Sequence, residues 1–238
     1  MPGTPRTLDL TRDGDVFVLG LGDGENRLHP DWIAGFNEAL DRVEAAAGPK
    51  ALVTAATGKC WSTGLDLAWV RANSSQLNDY LTSVHRLLAR LLALPVPAVA
   101  AIQGHCFAAG AMVALAHDFR VMRADRGYFC LPGIDLELVF TPAMSALIQS
   151  RLPVATAHAA MTTGRRYGGH EALAAGIIDE VADAGTVLDA ALAIARPLAG
   201  KPPRTLGEIK AVMYRDVLRM LRDDGVGSSA TVESLAGF

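Results

Sequence analysis

A chain of 238 residues, half of them hydrophobic, 20% charged and carrying a net charge of −3, is long enough to bury a sizeable core. The mildly acidic balance lacks any basic stripe interleaved with aromatics, which argues against nucleic acid as a partner. No uncharged apolar run is long enough for a bilayer span, so no membrane is expected as a partner either. Cys60, Cys106 and Cys130 are odd in number, lack CxxC spacing and sit in apolar surroundings. That usage suits inert thiols in a reducing compartment and disfavours a metal centre. Met1 to Arg6 holds no apolar signal segment and the last three residues are not a peroxisomal tripeptide, so a cytoplasmic location is the expectation.

In chain order, the spacing predicts a strand over 15–21 after the Asp13-Gly14 turn, a polar loop over 22–27, and an amphipathic helix from Pro30 to about Ala46. Gly48-Pro49 ends that helix, and 51–56 reads as a short buried strand. Strand, helix and strand in this order imply a parallel sheet with a right-handed crossover. A turn of small residues follows over 57–67, with Trp61 expected in the core. A long helix is predicted from Asn73 to Leu94, stopped by Pro95 and Pro97.

The stretch from Ile102 to Asp118 repeats the same grammar of apolar strand, small-residue turn and buried helix. The first N–H groups of a helix lack intrahelical acceptors, so such a turn can hold an anion or a developing oxyanion. It can equally be close packing of small residues. Two such turns at the ends of neighbouring strands would place two sets of free amides at one crevice, where open α/β sheets bind ligands. Beyond it, 119–124 alternates like a half-exposed strand. A turn at 125–127 leads to a strand at 128–131, and helices follow over 143–151, 155–161, 171–175, 186–199 and 205–222. The Gly/Ser-rich tail after Asp224 is expected to be mobile.

Several segments together resemble the crotonase (enoyl-CoA hydratase/isomerase) superfamily, closest to its Δ3,Δ2-enoyl-CoA isomerase-like branch. Lys59 to Leu67 is similar to that family's K-x-F-S-x-G-x-D-L segment. Ala101 to Asp118 is similar to its A-x-x-G-x-x-x-G-G-G-x-x-L-A-x-x-C-D segment, and the likeness extends to 25–28, Leu131-Pro132, 161–167 and 171–179. The resemblance implies an α/β fold, a spiral of ββα units over 1–200, with a C-terminal helical region over 201–238 that mediates a homotrimer or dimer of trimers. It implies an acyl-CoA thioester as ligand, with coenzyme A part of the substrate and no separate cofactor. The oxyanion-hole amides carry over to Leu65 and Ala109. Gly64, Asp66, Gly110, Met112 and Gly133 are expected to border the substrate, His105 to line the pocket, and Lys59 or Arg27 to meet the coenzyme A end.

Two positions depart from the family pattern. Hydratases of this family carry glutamates where this chain has Met112 and Gly133, and neither residue moves a proton. Loss of the first glutamate fits an isomerase, which shuttles one proton between two carbons. Glu137, in an apolar run, is a replacement base if it faces the pocket; a solvated loop carboxylate, or a bound bicarbonate as base, are the alternatives. The competing reading of the whole chain is a protein that binds acyl-CoA without transforming it.

Overall fold

The computed structural model describes residues 8–223 and 229–236. The chain opens with a hairpin, β1 (Asp9–Asp13) paired antiparallel with β2 (Val16–Gly20). The first of these strands lies outside the expected elements, because its mostly exposed polar residues carry little apolar signal. The loop over 22–26 ends in the short strand β3 (Arg27–Leu28), and α1 (Pro30–Ala45) follows. Trp32, Ile33, Phe36, Leu40 and Val43 of α1 recur at helical spacing and are all buried.

Next come β4 (Ala51–Ala55), the short strands β5 (Cys60–Ser62), which pairs with the segment at His105 and Cys106, and β6 (Gly64–Leu65), which pairs with β3, and then α2 (Leu67–Ala72). The Asp66 carboxylate caps α2 by accepting from the Trp69 amide at 3.1 Å. A single 3₁₀ turn then leads into α3 (Leu77–Leu92), shorter than the helix expected from Asn73 to Leu94. β7 (Ala98–Ile102), β8 (His105–Phe107) and α4 (Ala109–Ala116) realise the strand, turn and helix read from the sequence, with β8 as an extra strand inside the turn.

β9 (Phe119–Arg123) is more buried than a half-exposed strand. Its polar alternation misleads because Arg120, 5% exposed, is buried against Asp179 at 3.2 Å and the Ile177 carbonyl at 2.7 Å. After β10 (Phe129–Cys130) come α5 (Pro142–Arg151), α6 (Val154–Thr163) and α7 (Gly169–Ala174). β11 (Glu180–Ala182) then returns to the main sheet, a strand that sequence patterning missed at three residues' length, before α8 (Val187–Ala195). The last expected helix is two, α9 (Pro203–Met213) and α10 (Arg215–Arg222). The expected mobile tail is corrected in part: Ser229–Ala236 forms α11, while residues 224–228 and 237–238 lie outside the described residues.

The main sheet runs in the order β1-β2-β4-β7-β9-β11, parallel from β2 onward. Its strands bury both faces. One face meets the large core of α1, α3, α4 and α5; the other carries Val16, Val53, Val99 and Val121 against Ala191, Leu192 and Ala195 of α8. A second sheet, β10-β8-β5, and the pair β3-β6 stand at the C-terminal ends of β4 and β7. That placement sets both small-residue turns at one end of the sheet, as the crevice argument requires.

Candidate functional site: two convergent turns over an apolar cavity

The first turn is pinned by polar side chains. Asn26, at φ +49, donates its amide to the carbonyls of Cys60 at 3.2 Å and Trp61 at 3.0 Å. Asparagine tolerates the left-handed region, so the loop can fold back on the turn. Ser62 donates to the Asn26 carbonyl at 2.7 Å and accepts from the Gly64 amide at 3.3 Å. From α3, the buried Tyr80 hydroxyl accepts from the Asp66 amide at 2.9 Å and donates to the Leu28 carbonyl at 2.8 Å. Burial pushes its ionisation well above the ordinary phenol range, which keeps it a neutral double partner. Trp61 is fully buried, as expected.

The second turn is built by backbone geometry. Ala108 precedes α4 at φ +52, ψ −125, and offers no side-chain cap. That region strains any residue with a Cβ and recurs at functional sites. The Ala108 amide is held by the Cys130 carbonyl at 3.0 Å and its carbonyl by the Met112 amide at 3.2 Å. Ala109 therefore enters the helix with an amide that has no acceptor in the helix. Gly64, at φ +92, fits directly against it: a Cβ there would stand 2.8 Å from the Ala109 nitrogen. A Cβ on Gly110 would stand 2.6 Å from the Ser62 hydroxyl. The two turns are thus in van der Waals contact, and only glycine fits between them.

Both turns open into one cavity. Leu65, Ala108, Ala109 and Met112 form one side, Pro132, Gly133, Leu138 and Phe140 another, and Thr141 and Met144 close it from α5. Thr231 and Leu235 of α11 complete it from the C-terminal segment, where no helix is expected from the sequence. Among the described residues the wall is overwhelmingly apolar, with hydroxyls only from Thr63, Thr141 and Thr231 and no charged side chain.

The expected site residues divide accordingly. Leu65, Ala109, Met112 and Gly133 line the cavity, and Gly64 and Gly110 hold the turns together without lining it. Asp66 works in the loop: it caps α2 and stands 3.8 Å from Arg27. Lys59 is exposed and outside the cavity wall, and Arg27 is paired with Glu25 at 2.6 Å. His105 also lies outside the wall, stacked between Phe107 and Tyr128. Burial first, then Lys59, Arg126 and Arg166, lower its pKa. All three cysteines are buried free thiols, and burial raises the pKa of each. Asp118 is structural, accepting from the Ala98 amide at 2.8 Å and from Lys210 at 2.7 Å.

Glu137 requires a correction. It is exposed, sits at φ +55 in the turn between Ile134 and Leu138, and is not part of the cavity wall. The apolar residues around it in sequence face the cavity because the turn reverses between them, which sequence spacing alone does not reveal. The second family glutamate also has no room to be restored simply: a Cβ on Gly133 would come within 2.8 Å of the Phe140 ring. Asn26, Ser62, Tyr80, Phe140 and Thr141 were the site residues the sequence reading missed. Of these, only Asn26, in the run Gly22-Asp23-Gly24-Glu25-Asn26, carried a local signal of an unusual backbone.

Two glycine-packed turns at the ends of parallel strands, both bordering an apolar cavity, define the candidate site of this α/β protein. Comparison with known proteins makes the assignment particular. Residues 14–227 match the family model described as enoyl-CoA hydratase/isomerase, and the chain belongs to that enzyme family. It is 36% identical over 220 residues to the peroxisomal enoyl-CoA delta isomerase 2 of Arabidopsis thaliana, covering 87% of this chain and 90% of that protein. It is 31% identical to the carnitinyl-CoA dehydratase of Escherichia coli K12, covering 90% of this chain and 82% of that one. Among solved structures, an apo enoyl-CoA isomerase of Mycobacterium tuberculosis superposes with a TM-score of 0.84 at 28% identity, covering 97% of this chain and 98% of that chain. The crotonase-like fold and the isomerase-like branch read from the sequence are those of these relatives.

Proposed function

We propose that the protein binds an acyl-CoA thioester, polarises its carbonyl between the Leu65 and Ala109 amides, and moves a carbon–carbon double bond within the acyl chain. The close approach of Gly64 to the Ala109 nitrogen supports this reading, because it brings the backbone just before Leu65 against the start of α4 at the wall of an apolar cavity. When the α-carbon loses a proton, charge accumulates on the thioester oxygen, and each preorganised donor is worth about 3–4 kcal/mol of barrier. Isomerisation is favoured over hydration because the described residues of the wall include no carboxylate pair to activate and deliver water, and Met112 is apolar one turn beyond Ala109. The isomerases among the relatives support the same choice. No separate cofactor enters the reaction; coenzyme A belongs to the substrate.

The purified protein is expected to convert a 3-enoyl-CoA to its 2-enoyl isomer while leaving crotonyl-CoA unhydrated. Hydration of crotonyl-CoA at a comparable rate would overturn the choice. The absence of any carboxylate from the wall favours one rival, a binding protein without turnover. Silence of the wild type on both substrates, with activity gained by the double variant Gly133→Glu/Phe140→Ala, would establish that rival. The Phe140 change removes the ring 2.8 Å from the new Cβ, and the Leu138 carbonyl, 2.9 Å from it, must shift to admit the side chain.

Assembly as a homotrimer or dimer of trimers belongs to the same proposal. α9 supports it by turning Ile209, Val212 and Met213 outward, 51%, 73% and 66% exposed, while burying only Lys210. Light scattering on the purified protein reads the assembly. The cytoplasmic location is likewise proposed, in keeping with free thiols, and cell fractionation tests it.

A further inference from the structure

With both family glutamates replaced and Glu137 outside the cavity, an isomerase still needs a group that takes a proton from one carbon and returns it to another. Among the described residues the wall offers three hydroxyls. Thr63 donates to the Glu25 carbonyl at 3.3 Å, and Thr231 to the Phe140 carbonyl at 3.5 Å. The Thr141 hydroxyl, by contrast, stands 2.8 Å from Nε2 of His85, a titratable ring one helical turn beyond the cavity residue Leu81 on α3. Thr141 also caps α5 by accepting from the Met144 amide at 3.1 Å, so its oxygen is held from two sides.

His85 is an unusual group to find there. It is 2% exposed, on a helix face otherwise lined by Leu77, Leu81, Leu88 and Leu92, and its Nδ1 has no hydrogen-bond partner. A buried imidazole with one unsatisfied nitrogen is destabilising, and a leucine would avoid that cost. The Thr141 oxygen can accept from the Met144 amide and still donate its own proton, and we assign that proton to the bond with Nε2, which places the ring proton on Nδ1.

Resting on the isomerase reading above, we propose that Thr141 and His85 form the proton relay of this cavity in place of a glutamate. The Thr141 oxygen takes the C2 proton of a 3-enoyl thioester as its own hydroxyl proton passes to His85 Nε2. The C2–H electron pair forms the C1–C2 double bond of a dienolate, whose oxygen is held by the Leu65 and Ala109 amides. In the return step the carbonyl re-forms, the double bond moves to C2–C3, and C4 takes the proton from Thr141 while Nε2 gives its proton back. Nothing is oxidised or reduced and no co-reactant is consumed. Burial lowers the His85 pKa to about 4. The ring is therefore neutral before turnover and able to accept the hydroxyl proton.

The test compares wild type with Thr141→Val, Thr141→Ser and His85→Gln, using 3-hexenoyl-CoA for turnover and hexanoyl-CoA for binding. Thr141→Val and His85→Gln are each expected to lower kcat by about a hundredfold or more, the usual range for a lost acid–base group. KM and the hexanoyl-CoA Kd stay within threefold, and Thr141→Ser keeps kcat within fivefold of wild type. A purely structural cap would instead lower thermal stability without separating kcat from KM. Either interrupting variant suffices, since each cuts the relay at a different atom and a misfolded one leaves the other as the test. Retention of wild-type kcat by a folded Thr141→Val or His85→Gln overturns the relay and leaves the isomerase reading standing. A wild type that does not isomerise 3-hexenoyl-CoA overturns both.

Discussion

The turn at Gly64-Leu65 and the turn at Ala108-Ala109 both border one cavity, yet they are held by different physics. Polar side chains from three separated segments, Asn26, Ser62 and Tyr80, stitch the first turn in place. The second has no side-chain cap and stands on a strained alanine that leads into a helix buried on every side. Hydrogen bonds fix the first amide locally, whereas the second is fixed by the rigidity of the core behind it. Two donors built by independent means keep their relative position when either support fluctuates, which is what preorganisation of an oxyanion site requires.

The joint between the turns is where the largest effect is expected. Gly64→Ala adds a Cβ 2.8 Å from the Ala109 nitrogen at φ +92, and overpacking with left-handed strain should destabilise the fold by roughly 3 kcal/mol. Displacement of both donors should lower kcat/KM by about a hundredfold, read by steady-state kinetics alongside urea unfolding. A smaller effect isolates the first turn. Tyr80→Phe removes one donor and one acceptor, leaving the Asp66 amide and the Leu28 carbonyl unpaired, at about 1–3 kcal/mol. Its loss of kcat should be partial, because Asn26 and Ser62 still grip the turn. If Tyr80→Phe abolished activity while remaining folded, the picture of shared clamping would be wrong. The smallest effect, of opposite sign, belongs to the second turn. Ala108→Gly relieves a backbone that strains alanine, and the gain, less the entropy of a more flexible unfolded chain, should leave about 1 kcal/mol of added stability with turnover unchanged. A lower melting temperature for that variant would show that the core does not impose the strain.

The fold was legible wherever a segment made its contacts locally. α1 and α4 and the buried strands β4 and β7 stand where apolar spacing places them, because periodicity along the chain already encodes which face meets the core. β11 and α11 were not legible, since the first is a three-residue strand completed by pairing with β9 and the second a helix that packs on the cavity from the far end of the chain. At the site, the two small-residue turns and the loss of both family glutamates could be read directly. Spacing left two readings of Glu137, an inward base or a solvated loop carboxylate, and the turn at its positive φ realises the second.

The sequence by itself determined that two strand-to-helix turns offer backbone amides, and that no glutamate stands at Met112 or Gly133. These are properties of residue identity and order. Only the tertiary structure decided that Gly64 meets the Ala109 amide, that Phe140 fills the space beyond Gly133, and that Thr141 brings the buried His85 within one hydrogen bond of the cavity. Each of those pairings joins residues whose distance along the chain carries no period and no motif. They exist because the sheet and the α3–α4–α5 core bring the segments together, and packing in three dimensions has no counterpart in one.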